Sequence, residues 1–438
     1  MKQKTLAFIV LGISVLASCS NKKVFELPLT EKNGYGPFAP ALGGISTYSE
    51  DSNNVWKKTY LKVSGAPKDW TEVKFGDIET NIYQQIYQSY LLGNISDETY
   101  KNVQLSWNWK PDTLNLSKKP IKTKIAFAIG KDSTGTEKMI VDANNNLDLS
   151  DDKPFIPAEI NLEKKNNQDS LAQKNAVEVT FECYQNHQIV TAHAPLFVVH
   201  AKQYNLYMSN FPQHKTTNSE GIEIAVCSNG FTNLSYDNPG IVLMNDSLKQ
   251  GKKAGSQNVV ALNEYFEMNG KIYRNKGFNP TDNALVLEKI SLPKDQLAST
   301  QIGYQSFPFS GKEFKTMATI SSEGLKGKYV LLDFWAVWCG PCVQEIPNLK
   351  KLYEKTDRSK FEIVGIVAES PTDVLDKMIG EQSISWPQVL SDQVNKIKET
   401  YEVNGFPTSF LISPEGVIVA KNLRGKELED KVLGLLGK

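Results

Sequence analysis

Val330-Leu331-Leu332-Asp333-Phe334-Trp335-Ala336-Val337-Trp338-Cys339-Gly340-Pro341-Cys342 reads as a buried strand, a turn and the opening of a helix. Two of the chain's five cysteines stand three positions apart in that turn. A Cys-x-x-Cys between a strand and a helix reads as a redox pair. Unpaired N–H groups at a helix start create positive potential, which stabilises a thiolate. Pro341 suits the first helical turn, where a missing N–H is harmless. The same spacing is half of a zinc site, but no second Cys pair exists. All four histidines, His187, His193, His200 and His214, lie well upstream, which also argues against a Cys-His hydrolase here.

Outward from this stretch, residues 302–438 read as alternating strands and helices. The expected order is strand 329–335, helix 341–356, strand 361–368, helix 371–381, strand 388–390, helix 392–402, strands 409–412 and 417–421, and helix 426–436. That alternation predicts an α/β sheet covered on both faces. Residues 291–301 read as a linker.

Trp338-Cys339-Gly340-Pro341-Cys342 matches the active-site motif of the thioredoxin superfamily, which this region resembles. Pro347 falls inside the following helix, as a proline does in thioredoxins. Phe406-Pro407-Thr408 resembles the family's cis-proline loop, whose backbone holds substrate chain. The separation of Cys339 from Pro407 exceeds that of plain thioredoxin by about a helix and a strand. With Leu325-Lys326-Gly327-Lys328 and Glu345, this central insertion resembles the TlpA/ResA branch of membrane-tethered, extracytoplasmic thiol–disulfide oxidoreductases. Asp333 occupies the place of thioredoxin's buried aspartate, so the chain carries both carboxylates.

The resemblance implies that Cys339 is the more exposed, lower-pKa nucleophile and Cys342 the buried resolving thiol. A buried carboxylate with raised pKa accepts the Cys342 proton; Asp333 and Glu345 are rival candidates, with a structural role open for either. Trp338, Gly340, Pro341, Phe406 and Thr408 are the expected substrate-contacting positions, and Cys339–Cys342 the redox-active disulfide. The chemistry requires no cofactor. The expected partners are disulfide-bonded client proteins and an upstream membrane electron donor, and the Gly-Pro dipeptide implies a reductive direction.

The opposite end of the chain reads as a targeting segment. Lys2 and Lys4 precede an apolar run from Leu6 to Ala17, too short to span a bilayer comfortably. Leu16-Ala17-Ser18-Cys19 resembles the lipobox of bacterial lipoproteins. Residues 1–18 are then a signal peptide and Cys19 a lipidated first residue, which implies a protein anchored to a membrane of the bacterial cell envelope and facing the periplasm or exterior. An ordinary signal peptide or short anchor is the alternative. Residues 19–40, polar and then rich in Gly and Pro, read as a tether; twenty extended residues reach roughly 60–70 Å.

At 438 residues the chain predicts two or three domains. Formal net charge is zero, with no basic run that would suit nucleic acid. Residues 41–290 read as a β-rich (α+β) region of unknown role, in one or two subdomains. Ile82, Ile86, Tyr90 and Leu91 repeat at helical spacing, and Ser96 before Asp97-Glu98 reads as a cap and first turn. Trp107 and Trp109 alternate as in a strand. Asp132-Ser133-Thr134-Gly135 and Asn269-Gly270 read as hairpin turns. Polar stretches at 163–170, 213–220 and 245–257 read as loops.

Two weaker signals lie in this region. Asp142, Asn144, Asn146, Asp148, Asp151 and Asp152 resemble an irregular calcium loop, although Leu147 and Lys153 depart from the EF-hand pattern; a solvated Asx-rich turn is the alternative. Cys183 and Cys227 read either as a disulfide or as free buried thiols. The fold expected overall is multidomain, a β-rich region followed by a thioredoxin-like α/β domain with a central insertion. A ligand- or glycan-binding surface lipoprotein with an accessory thioredoxin fold is the alternative reading of the whole.

Overall fold

The computed structural model describes residues 23–107, 109–164 and 166–437; Cys19 and the expected signal peptide lie outside them. Four antiparallel or mixed sheets build the first two thirds. One runs in the order Val24–Pro28, Ala284–Ile290, Lys271–Asn279, Tyr265–Met268. A second orders Gly240–Leu243, Ile222–Cys227, Gln213–Ser219 and Thr30–Asn33. A third centres on the long strand Gln188–Ala201, which pairs with Leu206–Asn210, Val177–Gln185 and Ala158–Glu159. The fourth joins Thr71–Glu79, Lys124–Lys131 and Glu137–Val141. The Asn269-Gly270 turn has φ of 50° and 70°, the positive values that a type I′ hairpin requires.

The expected tether is corrected by this architecture. Val24–Pro28 pairs with Ala284–Glu288, and Thr30–Asn33 pairs with Gln213–Thr216. The reason is period-two burial: Phe25 and Leu27 pack on the core that contains Leu29, Leu285 and Leu287. Tyr35 and Phe38 are fully buried beyond the second strand, and the Tyr35 hydroxyl donates to Asn210 at 2.8 Å.

The expected loop at 213–220 is also corrected, because Gln213–Ser219 is an interior strand. Its polar side chains are satisfied in place. His214 Nδ1 lies 2.8 Å from the Gly34 carbonyl oxygen, and Lys215 donates to Asn283 at 2.5 Å. Trp107 and Trp109 are not in a strand: Trp107 closes the Asp97–Ser106 helix and Trp109 packs on Tyr83 and Tyr100. Ser96 caps that helix, accepting from Thr99 N at 3.1 Å. The 163–170 stretch runs into a helix at Gln168–Asn175.

The last third is a five-stranded sheet in the order Gln388–Leu390, Phe361–Val367, Tyr329–Trp335, Thr408–Ile412, Ile418–Lys421. The first three strands are parallel and the last two antiparallel. Alternation along the central strand divides its side chains between two cores. Val330, Leu332 and Phe334 enter one; Leu331 and Trp335 enter the other, beneath the helix Gly340–Lys355. Asp333 is in phase with the second set, so the strand aims its carboxyl at that helix. The expected helix 392–402 is reduced to Ile397–Thr400. The stretch expected as a linker is held at its end, where the Gln301 side chain bonds both backbone groups of Tyr265 at 2.7 and 2.8 Å.

Candidate active site

The central strand ends at Trp335 and the chain turns through Val337, whose amide donates to Ser370 Oγ at 3.1 Å. Cys339 is the N-cap of the following helix and is joined to Cys342 by a disulfide. Cys339 Sγ accepts the Cys342 amide N–H at 3.2 Å. The expected difference in exposure is corrected: Cys339 is 3% and Cys342 4% exposed. What separates the two sulfurs is the N-cap position. A thiolate on Cys339 keeps that amide donor and the positive end of the helix, whereas Cys342 sits a turn inside.

Trp338, the residue before Cys339, is 62% exposed, with its indole N–H donated to the Glu369 carbonyl at 2.9 Å. Its ring meets Phe406 edge-on at 5.8 Å. The Phe406–Pro407 peptide bond is cis. Thr408 Oγ donates to the Gly405 carbonyl at 2.8 Å, and Thr408 begins the strand beside the central one. Lys398, paired with Glu369, lies 5.9 Å from the Phe406 ring centre. Phe406 packs against the apolar cluster that contains both cysteines, while Gly340 and Pro341 form the exposed first turn.

The two carboxylates have different surroundings. Glu345 has both oxygens engaged, Oε2 by Asn348 at 2.9 Å and Oε1 by the Gly425 amide at 2.6 Å. Asp333 is 8% exposed and has Gly365 and Ser409 beside it on the neighbouring strands. Burial pushes its carboxyl up to about 7, against the pull of the Arg424 guanidinium and with a push from Glu345. A carboxyl poised near neutrality can take a proton and return it, which suits Asp333 to general-base work. Glu345 is built as an anchor between helices. Arg424, Glu369 and Lys398 had no signal in the sequence, since each reaches the site only through the fold, whereas Asn348 lies one turn along the same helix from Glu345.

The other expected residues do not join this site. In the 142–152 loop, Asp142 accepts the amides of Asn146 and Leu147, and Asp151 accepts both Asn144 and Asn146 side chains. Asp148 accepts the Ser150 amide and Asp152 that of Ala143. Among the described residues no group of three or more His, Cys, Asp or Glu side chains is arranged to hold a metal ion. The calcium expectation therefore finds no support, and most of the loop's carboxylate and amide oxygens accept its own N–H groups as in an Asx turn, with Asp152 Oδ2 buried and unpartnered. Cys183 and Cys227 are free, the second of the two readings of the sequence.

A cleft of about 570 Å³ opens between the sheets of the first two thirds. Tyr83, Trp109, Tyr184 and Phe278 form its walls, with Lys215 and Asp237 among its charged groups. Asp237 reaches water inside this concavity, and burial pushes its carboxyl up to about 6.

Residues 302–421 match the AhpC/TSA family. The thiol-disulfide oxidoreductase ResA of Oceanobacillus iheyensis is 31% identical over 138 residues, covering 31% of this chain and 71% of that protein. The ResA of Bacillus cereus is 34% identical over 135 residues, covering 29% of this chain and 77% of that protein. A solved thioredoxin domain of a thiol-disulfide oxidoreductase from Bacteroides vulgatus is 35% identical, covering 32% of this chain and 99% of its own, with a TM-score of 0.29. By these relatives, this chain belongs to the thioredoxin-like thiol-disulfide oxidoreductases.

Proposed function

We propose that the chain is an extracytoplasmic oxidoreductase that reduces or isomerises disulfides in client proteins. Cys339 attacks and Cys342 resolves. The observation that carries this reading is the Cys339–Cys342 disulfide at a helix N-cap, with Phe406 packed on the same apolar cluster and a buried Asp333 on the strand that leads into it. Clients are held by the backbone of the Phe406-Pro407-Thr408 loop against the Trp338 surface. Electrons return from a membrane donor, and a lipid on Cys19 keeps the enzyme at the envelope membrane.

The test is reduction of insulin disulfides by the pre-reduced protein, with Cys339→Ser as control. Activity that survives the substitution refutes the assigned nucleophile. The dithiol is expected near the about −270 mV of thioredoxin, and a value above roughly −150 mV, toward dedicated oxidants, would refute the reductive direction.

The cleft favours a second reading for the first two thirds. Its size and its mixture of aromatic and polar walls suit a small ligand or glycan. In that reading the cleft is the principal site and the thioredoxin domain an accessory. Insulin reduction separates the two, because an accessory fold is inert in that assay.

A further inference from the structure

Lys124 and Glu79 stand directly opposite each other on neighbouring strands, yet their side chains form no ion pair. The Lys124 ammonium leans along the strand to Asp77 instead, donating to Oδ2 at 3.0 Å and to the Thr59 carbonyl at 3.2 Å. Tyr48 donates to the same Asp77 oxygen at 2.7 Å. Lys124 and Asp77 are closed off from water, with side chains 7% and 10% exposed. The Glu79 carboxyl lies on the same face of its strand as Asp77 and makes no hydrogen bond or ion pair among the described residues. Burial pushes it up, against the pull of Lys124 and with a push from Asp77.

These groups line a pocket of about 420 Å³ between the strand Thr71–Glu79 and the segment 43–60. That volume lies in the range of small-molecule sites. The lining carries two carboxylates, Asp77 and Glu79, against one ammonium, Lys124, so it has one negative charge in excess. Part of its wall is aromatic: the Tyr48 and Tyr60 rings stack at 4.1 Å and 9°, and Trp56 joins them in the lining. Aromatic faces attract cations and cover alkyl chain. A hard metal ion fits poorly, because such ions take a full shell of oxygen ligands. Among the described residues no group of three or more His, Cys, Asp or Glu side chains is arranged to hold one.

We propose that this pocket is a binding site for a primary alkylammonium group, carried either by a free amine or by the lysine side chain of a peptide. The ammonium donates to Glu79 and supplies the countercharge that Lys124 gives to Asp77. Its alkyl chain lies against the rings of Tyr48, Tyr60 and Trp56. The site is separate from the dithiol chemistry, because every residue that lines it precedes the thioredoxin-like domain.

The test uses the full chain with n-butylammonium chloride, read by saturation-transfer NMR and calorimetry. The comparison probes are n-butanol, which lacks the charge, and tetramethylammonium, which lacks the N–H donors. Butylammonium is expected to bind, n-butanol not to bind, and tetramethylammonium to bind several-fold more weakly. Glu79→Gln is expected to weaken butylammonium about tenfold or more, the worth of a charge-assisted hydrogen bond. Hydrogen–deuterium exchange on the wild type locates the site without any variant: peptides that hold Tyr48, Tyr60 and Glu79 should exchange more slowly with the amine present. N-Acetyl-lysine amide binding more tightly than butylammonium assigns the site to a peptide, and the reverse order assigns it to a free amine. Failure of both amines to bind at millimolar concentration overturns the proposal. So do equal binding of n-butanol or tetramethylammonium, an affinity unchanged in Glu79→Gln, and protection confined to other segments.

Discussion

The Gly425 amide donates to Oε1 of Glu345 at 2.6 Å, so the last helix and the dithiol helix share one buried carboxylate. Glu345→Ala removes the acceptor of this amide and of Asn348. The expected loss is about 1–3 kcal/mol in chemical denaturation, because buried donors are left unpaired. Glu345 also pushes the Asp333 carboxyl up, so Glu345→Ala should move the Asp333 titration down.

Asp333 makes stability fall with rising pH. Its carboxyl is raised from an ordinary 3.8 to about 7 in the folded chain, chiefly by burial. The folded state therefore holds a proton that the unfolded state has lost, from about pH 4 to pH 7. Stabilisation is complete below the lower value and is lost as pH climbs through the upper one. Asp333→Asn, which cannot ionise, should be more stable than the wild type above neutrality by on the order of 2–4 kcal/mol and should lack this slope. Parallel stability curves for the two chains would contradict it.

Gly365 lies opposite Asp333, and a Cβ there would stand 2.0 Å from Gln388 Oε1. That oxygen accepts the Trp335 indole N–H at 2.9 Å, and the Gln388 amide donates to the Trp386 carbonyl at 3.1 Å. Gly365→Ala should destabilise by about 1–3 kcal/mol through overpacking. Adding Gln388→Ala should recover part of that loss, and full additivity in a double-mutant cycle would show that the two positions do not meet.

Cys342→Ser should accumulate a covalent complex with clients, because the attacking sulfur is present and the resolving one is not. Non-reducing electrophoresis reads this directly. Cys339→Ser should give no such complex, and trapping by both variants alike would remove the distinction between the two sulfurs.

The domain around Cys339 was legible because several local signals agree there. The apolar run 330–335, the Cys-x-x-Cys turn, and the strands and helices after it fall within a residue or two of their expected places, except the helix expected at 392–402, of which only Ile397–Thr400 forms. The side chains that tune the site were not legible. The Gly425 amide reaches Glu345 across 80 positions, and Lys398 reaches Glu369 from a different element; neither contact has a local pattern. In the first two thirds the hardest element was Gln213–Ser219. Gln-His-Lys-Thr-Thr-Asn-Ser has the composition of a loop, and its strand exists because Asn283, Gly34 and Glu31 satisfy it. The Asp142–Asp152 oxygens matched a calcium loop in spacing, but spacing does not reveal that they accept the loop's own amides.

Residues 20–33 test the corrected start of the chain. Deleting them should unfold two sheet edges and lower the melting temperature of the full protein, since Val24–Pro28 and Thr30–Asn33 each pair with an interior strand. A tether could be removed with no such change.

The same pairing has a consequence for geometry. Sheet structure begins at Val24, five positions after Cys19. Fully extended, those five residues span no more than about 18 Å. If Cys19 carries the proposed lipid, the edge strand Val24–Pro28 and the sheet it borders start within that distance of the bilayer surface.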